Sequence, residues 1–380
     1  MDFAFNDDQE LLRETTRRFL EERHPLGALR PNLERESTFD RAVWKDGAEL
    51  GWTSMLIPEA HGGGSITEQP LVDLVAIAEE LGRGLYPGPV LATNVVADAI
   101  ATFGDDAQQK ERLDAIVRGE CVAAWCATGD GSAEAASIEV TATPQADGLK
   151  LDGVSRFVHD AHEADLLLVA VQAPAGPTLT LIPRDASGVT VRVLTGLDLT
   201  RRFCEVVFNG VEVAASAVVG GLGKAGPAIE RAQRVATVLQ AAESVGAAER
   251  NFETTVQYAK DRVQFGRPIG SFQAIKHRLA DLLIAVEGAR AAAWYAALAV
   301  ADDAPDRDEA VAVAGSSVRE AASFIAGEAL QIHGGVGFTW EYDVHLFLRR
   351  AKADQFLLGD PAWHRERLCA VLDANIEGAA

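Results

Sequence analysis

Cysteine is scarce in this 380-residue chain. Its four residues, Cys121, Cys126, Cys204 and Cys369, have neither metal-ligand spacing nor a disulfide framework, so free thiols in a reducing compartment are expected. Positive charge is also short: 35 Lys and Arg face 56 Asp and Glu, a formal net charge of -21. A nucleic-acid partner needs a basic face that this balance does not supply, and is excluded. The opening MDFAFNDDQE has no basic region followed by an apolar run, so it does not read as a signal peptide. No run of about twenty apolar residues is present, so no membrane-spanning segment is expected. These absences together predict a cytoplasmic protein without a membrane partner. The glycine run at 62–64 lacks the Gly-Lys-Ser/Thr that a phosphate loop requires. Internal repeats and low-complexity tracts are missing as well.

What is present describes an ordinary globular chain, 48% hydrophobic and 24% charged, long enough for two or three domains with a sizeable core. Residues 1–119 read as helical. Asn6 or Asp7 can cap a first helix whose apolar positions Leu11, Leu12, Phe19 and Leu20 recur at helical spacing. Residues 120–225 turn β-rich, with short runs at 138–143, 149–151, 166–171, 179–182, 189–193 and 203–208. The pairs Asp147-Gly148, Asp152-Gly153 and Asn209-Gly210 read as turns between them, predicting a small antiparallel sheet or barrel. Residues 226–380 return to helix. From Ile229 through Ala236, Leu239 and Val245 to Val263 the apolar positions keep three- and four-residue steps, predicting a helix with one continuous apolar face. Helices at 271–301, 307–333 and 343–356, with a last one from Pro361, would complete a bundle. The fold class is α+β, mainly α: an N-terminal helical domain, a middle antiparallel β domain and a C-terminal four-helix bundle.

Two stretches of the third block stand out. In DRVQFGRPIGSFQ, residues 261–273, a helix is expected to end at Phe265-Gly266, with Gly266 in the left-handed cap conformation, Pro268 blocking continuation and Ser271 capping the next helix. In QIHGGVGF, residues 331–338, a helix ends in Gly334-Gly335, where no Cβ keeps a ligand from the backbone. Helix ends with free amides and a nearby arginine suit a pyrophosphate. On spacing alone two plain helix caps are the favoured reading.

Together these stretches resemble the C-terminal signatures of the acyl-CoA dehydrogenase family, and the likeness extends over nearly the whole chain. The resemblance implies FAD as cofactor, with its ADP half held between subunits by Arg262, Phe265, Gly266, Phe272, Gln273, Gln331, Gly334 and Gly335. It implies an acyl-CoA substrate, an electron-transfer flavoprotein as electron acceptor and a dimer or tetramer, homo- or hetero-oligomeric. For the flavin half, the family's Thr-Glu-Pro-x-x-Gly-Ser-Asp segment corresponds to Thr128, Gly129, Asp130, Gly131 and Ser132, without the Glu-Pro pair. Its Trp-Ile-Ser/Thr segment corresponds to Phe157, Val158 and His159. Phe157 keeps an aromatic face, whereas His159 replaces a hydroxyl and reads equally as a surface residue.

The catalytic carboxylate is missing. Where many members carry a glutamate before Gly-Thr, this chain has Leu358, followed by Gly359 and Asp360; where others carry it on the first bundle helix, this chain has Ala236. Neither side chain accepts a proton. Asp360 reads chiefly as the N-cap of a helix begun by Pro361, Glu243 as a buried paired carboxylate, and His364 as a solvent-facing residue. Three functions are consistent with this pattern. One is an acyl-CoA dehydrogenase with an unlocated base. Another is a non-catalytic subunit whose related partner brings the glutamate, with a bulky or branched acyl group as the expected substrate. The third, an oxygen-using flavoenzyme on the same scaffold, has no positive support.

Overall fold

A computed structural model of the chain describes residues 5–35, 39–127 and 137–378. Five helices come first: α1 (Asp7–Arg23), α2 (Arg41–Glu49), α3 (Pro70–Arg83), α4 (Val90–Phe103) and α5 (Asp106–Val117). Asn6 caps α1 in a reciprocal capping box with Gln9. An eight-stranded sheet follows: β1 (Ala123–Cys126), β2 (Thr141–Gln145), β3 (Gly148–His159), β4 (Leu166–Ala173), β5 (Gly176–Pro183), β6 (Val189–Leu194), β7 (Phe203–Ala214) and β8 (Val218–Val219). The remaining elements are α6 (Gly226–Asp261), a two-residue hairpin of β9 (Val263–Gln264) and β10 (Arg267–Pro268), α7 (Gln273–Ala301), α8 (Arg307–His333), α9 (Val344–Asp354) and α10 (Pro361–Gly378). Helices, sheet and helical bundle thus follow in the expected order, and the fold is α+β with helix predominant.

Strand order is β6-β7-β3-β2-β4-β5-β8, with β1 beside β4. The sheet is mixed rather than antiparallel throughout, because β4 pairs in parallel with both β1 and β2. Burial of β4 on both faces explains why its sequence is continuously apolar instead of alternating. Leu166, Leu168 and Ala170 join the core shared with the helices, while Leu167, Val169 and Val171 join the sheet's own core. Asp152-Gly153 and Asn209-Gly210 are not turns. They face each other inside the long β3–β7 pair, where the register shifts past Leu151 and Gly210 takes φ 64°. The Gly210 amide donates to the Asp152 carboxylate at 2.8 Å, so the two pairs make a β-bulge.

Helix α6 is not one-faced. Every residue from 235 to 248 is buried, since α3, α4, α7 and α8 all pack against this helix. Glycine permits the closest approach. A Cβ on Gly82 would lie 1.9 Å from the Glu243 carbonyl oxygen, and one on Gly246 would lie 1.8 Å from that of Glu79. Helix α7 has the length and apolar composition of a membrane-spanning helix, beyond what the sequence pattern suggested. It packs against α6 and α8, burying Leu282, Val286 and Ala289 and leaving Leu283 and Ile284 exposed.

The link between α6 and α7 also differs from expectation. Helix α6 stops at Asp261, and Phe265-Gly266 form the tip of the β9–β10 hairpin with φ 51° and 78°. Two consecutive positive φ values match the tight turn whose twist suits a hairpin. Gly266 is therefore left-handed as expected, but in a hairpin and not in a helix cap. Ser271 does not cap α7. Phe272 holds that position, and the Ser271 hydroxyl donates back to the Pro268 carbonyl at 2.7 Å.

Candidate active site

A cavity lies where the sheet, α4, α6 and the segment after α9 meet. Trp125, Phe157, His159, Phe203, Leu91, Leu357 and Leu358 give it aromatic and aliphatic walls, and Arg201 and Gln240 line it as well. Phe157 reaches it through local backbone strain. Between Ser155 and Val158, β3 has one residue more than β7, and at this bulge Phe157 takes φ 56° with its side chain 46% exposed. A bulky residue held at positive φ is rare and clusters at functional sites. His159 follows, with Nε2 3.1 Å from the buried Asp160 carboxylate and its ring 5.7 Å from that of Phe203.

The opposite wall carries Leu358, also at positive φ, 57°, followed by Gly359 at 90°. Its side chain borders the cavity where the resemblance placed a carboxylate. Ala236 is fully buried within α6. Among the described residues lining the cavity none is Asp or Glu. Asp360 caps α10, accepting from the Trp363 amide at 2.7 Å. Glu243 is buried and paired with Arg201. His364, expected at the surface, is instead 2% exposed. Its ring packs on Gly315 and lies 3.1 Å from the Leu358 carbonyl through Nε2. Burial, reinforced by Arg319, pushes its pKa down to about 3. A helix-start residue gave no sign of this, because only the packing of α10 on α8 covers it.

Sequence reasoning missed Arg201. Its loop is pinned by Asp198, which accepts from the Thr200 amide at 2.8 Å and from Arg350 Nε at 2.5 Å. Arg202 fastens the same loop to the Leu33 and Arg35 carbonyls at 2.8 and 2.6 Å. Arg201 is thereby turned inward against Glu243, with Asp354 3.5 Å away. Burial opposes its charge, yet the two carboxylates outweigh burial and hold the guanidinium more firmly protonated than usual. Burial also raises Asp354, against the pull of Arg201 and Arg350. An arginine doublet in a loop carries no sequence signal for this role; only the fold brings it to α6.

The residues expected to hold the ADP half lie elsewhere. Arg262 borders a cleft of about 650 Å³ together with Arg250, Tyr258, His333 and Tyr342. Across it Tyr258 and His333 stack at 4.2 Å, which brings the hairpin segment beside the end of α8. Phe265 is 93% exposed at the hairpin tip, its ring 6.2 Å from Phe272, over which Arg267 lies at 4.2 Å. Gln273 and Gln331 are exposed on α7 and α8. Gly334 ends α8 at φ 62°, and a Cβ on Gly334 or Gly335 would meet nothing within 4 Å. This is bare, open backbone. The cleft and the cavity share no lining residue among those described. Thr128 and positions 129–132 lie outside the described residues.

Known proteins resemble this chain over nearly its whole length. Residues 6–120 match the family model for the acyl-CoA dehydrogenase N-terminal domain, and residues 228–372 match that for the C-terminal domain. The chain is 33% identical over 367 residues to the acyl-CoA dehydrogenase IpdE2 of Mycolicibacterium smegmatis, covering 96% of this chain and 98% of that protein. It superposes on a chain of the ChsE4-ChsE5 complex from Mycobacterium tuberculosis with a TM-score of 0.89 at 30% identity, covering 98% and 99% of the two chains. The Tcur3481-Tcur3483 steroid acyl-CoA dehydrogenase variant gives 0.87 at 29% identity, with coverage of 98% and 99%. The chain belongs to the acyl-CoA dehydrogenase family of oxidoreductases, and its cofactor is FAD. The residues present suit that group, since the exposed Phe157 ring offers a flat apolar face in the cavity, and the open backbone at Gly334-Gly335 leaves room for close approach of a phosphate.

Proposed function

We propose that this chain takes part in α,β-dehydrogenation of a bulky acyl-CoA thioester as one subunit of a heteromeric acyl-CoA dehydrogenase, in which a related partner chain supplies the carboxylate base. One observation carries this reading: the cavity has an aromatic platform and an apolar wall but no carboxylate among its described lining residues, and Leu358 stands in the wall. Removing an α proton needs an acceptor within hydrogen-bond reach of it. Neither Glu243, tied to Arg201, nor Asp360, engaged as a cap, is free for that task. The heteromeric ChsE4-ChsE5 complex and the steroid acyl-CoA dehydrogenase among the similar structures support both the assembly and the bulky acyl group.

Within such an assembly, bound FAD would supply the acceptor for a hydride from the β carbon. Phe157 and His159 of this chain would flank the flavin. Arg262, Phe265, Phe272, Gln273, Gln331, Gly334 and Gly335 would hold the ADP half, with Thr128 as a further flavin contact. Separation of the cleft from the cavity favours sharing of the cofactor between chains. Electrons would pass on to an electron-transfer flavoprotein. The test is purification alone and with a co-expressed homologue that carries the glutamate. Expected is an inert preparation alone and a yellow complex that bleaches anaerobically with a bulky acyl-CoA. Bleaching by this chain alone would instead establish a base of its own.

A further inference from the structure

The wall that carries Leu358 is held from behind by two buried side chains. Leu357 and Leu358 both border the cavity, in a turn that starts where α9 ends at Asp354. Leu358 sits at φ 57°, and a non-glycine residue there costs free energy unless its surroundings fix it. Three backbone carbonyls of this turn are received by side chains from other helices. Arg319 of α8 donates through Nε to the Asp354 carbonyl at 3.2 Å and through Nη2 to that of Leu357 at 3.1 Å. His364 of α10 lies 3.1 Å from the Leu358 carbonyl through Nε2. A carbonyl oxygen only accepts, so that nitrogen carries the ring proton. Burial keeps the imidazole neutral, with its pKa down at about 3.

Ion pairing does not account for Arg319. It is 2% exposed, and its side-chain hydrogen bonds among the described residues go to neutral oxygens, the remaining two being the Gly315 carbonyl at 2.8 Å and Gln240 Oε1. Holding a guanidinium in such surroundings is costly, and burial lowers its pKa to about 10. What the planar fork does is join α8, the Gln240 side chain of α6 and the backbone after α9 at one point. Gln240 lines the cavity as well, so one side chain orients two pieces of its wall. Gly315 makes room for the other. A Cβ there would lie 2.3 Å from His364 Nδ1, so one turn of α8 supplies both the seat for the histidine and, four residues on, the arginine.

Resting on the function proposed above, we propose that Arg319 and His364 are positioning residues of the dehydrogenation: they clamp the backbone of residues 354–358 so that Leu358 closes the cavity beside the flavin and the reacting end of the thioester. Neither of the two lines the cavity. Their effect passes through the turn they hold, and a misplacement of about 1 Å at a reacting centre costs about 10²-fold in rate.

The test uses the FAD-loaded complex with its base-supplying partner, this chain carrying Arg319→Met, Arg319→Lys, His364→Leu or His364→Gln. Lysine keeps the charge without the fork, and glutamine keeps an N–H donor without the ring. Two quantities are read on folded, flavin-bearing complex: amide hydrogen exchange of residues 355–359 and the rate of anaerobic flavin reduction at saturating acyl-CoA. Arg319→Met, Arg319→Lys and His364→Leu are expected to speed exchange about tenfold or more in that segment alone. They are expected to slow reduction about 10- to 100-fold, with acyl-CoA affinity, read from flavin absorbance, kept within about threefold. His364→Gln should recover both quantities. Unchanged exchange overturns the clamp. Faster exchange with an unchanged reduction rate overturns the positioning role and leaves two structural residues. Wild-type behaviour of Arg319→Lys overturns the fork and assigns the effect to charge. Should Arg319→Met not fold, the two His364 variants decide, since they break no ion pair. A wild-type complex that reduces no flavin with any acyl-CoA overturns the underlying function instead, and exchange still decides the clamp.

Discussion

Gly82 of α3 sits so close to Glu243 of α6 that a Cβ added to the glycine would lie 1.9 Å from the Glu243 carbonyl oxygen. Gly246 and Glu79 repeat the contact in the other direction at 1.8 Å. These paired glycines hold the N-terminal helices against α6 and fix the height at which Glu243 meets Arg201. A methyl group cannot be absorbed by backbone as it might be by a flexible side chain. Gly82→Ala or Gly246→Ala is therefore expected to destabilise by about 1–3 kcal/mol or more, through separation of the helices. Denaturant melts of the two variants measure it, and unchanged midpoints would refute the tight crossing.

Glu79 provides a pH signature of the same interface. Its carboxyl is buried and its pKa is raised to about 7 by that burial, against the opposing pull of Arg13 and Arg290 and a hydrogen bond from the Trp294 indole at 3.0 Å. The folded state thus binds this proton more tightly than the unfolded chain. Its contribution is full below the unfolded carboxyl value and is lost as pH rises toward about 7. Stability is expected to fall by roughly 1–3 kcal/mol between acidic and neutral pH from this group. Glu79→Gln keeps an acceptor for Trp294 and should flatten that part of the profile, as followed by melting at a series of pH values.

The order of helices, sheet and bundle was legible in the sequence because periodicity is local. The limits of α8, Arg307–His333, were read directly, and Asn6 was one of the two candidate caps of α1. Failures came where another segment decides the outcome. Asn209-Gly210 has the composition of a turn, yet β3 lies opposite and turns it into a bulge. A dense crossing of helices hides the polar face of α6. His364 is buried by α8, to which nothing in its own neighbourhood points. At the site, Leu358 and Ala236 could be located by counting, but the Arg201–Glu243 pair could not, since its members are 42 residues apart and meet only through the fold.

That pair has its own energetic consequence. Both side chains are almost fully buried, 3% and 4% exposed. Removing one partner strands a charge, and Glu243→Leu is expected to cost about 3–5 kcal/mol. Replacing both with methionine should cost less, because neither member of the pair is left charged alone, although Asp354 loses the guanidinium 3.5 Å away. A double-mutant cycle by denaturation checks the coupling, and additive losses would count against a direct pair.

Asp360 separates a cap from a base. Its carboxylate receives the Trp363 amide at 2.7 Å at the start of α10. Asp360→Ala should lower stability by about 1 kcal/mol, and Asp360→Ser should recover most of it, since serine also caps. Flavin reduction by acyl-CoA in the co-expressed complex should keep its rate in both variants. A loss of rate in Asp360→Ser with stability retained would move Asp360 into the chemistry.

Leu358→Glu asks whether the cavity lacks only its proton acceptor. The side chain borders the cavity, from a backbone already held at φ 57° and followed by a glycine at 90°. Its presentation is thus fixed by the loop and independent of the leucine itself. A carboxylate there would enter an apolar wall, and desolvation would raise its pKa toward the range useful for a general base. General-base catalysis is typically worth about 10²–10⁴-fold, so the variant is expected to gain at least 10²-fold in anaerobic flavin reduction when assembled without a glutamate-bearing partner. Leu358→Gln, matched to glutamate in size but neutral and unable to take the proton, controls for altered packing. Gain in the glutamate variant alone would show that the flavin end of the site is competent. Equal inactivity of both variants, with FAD bound, would mean that more than the base has to come from the partner chain.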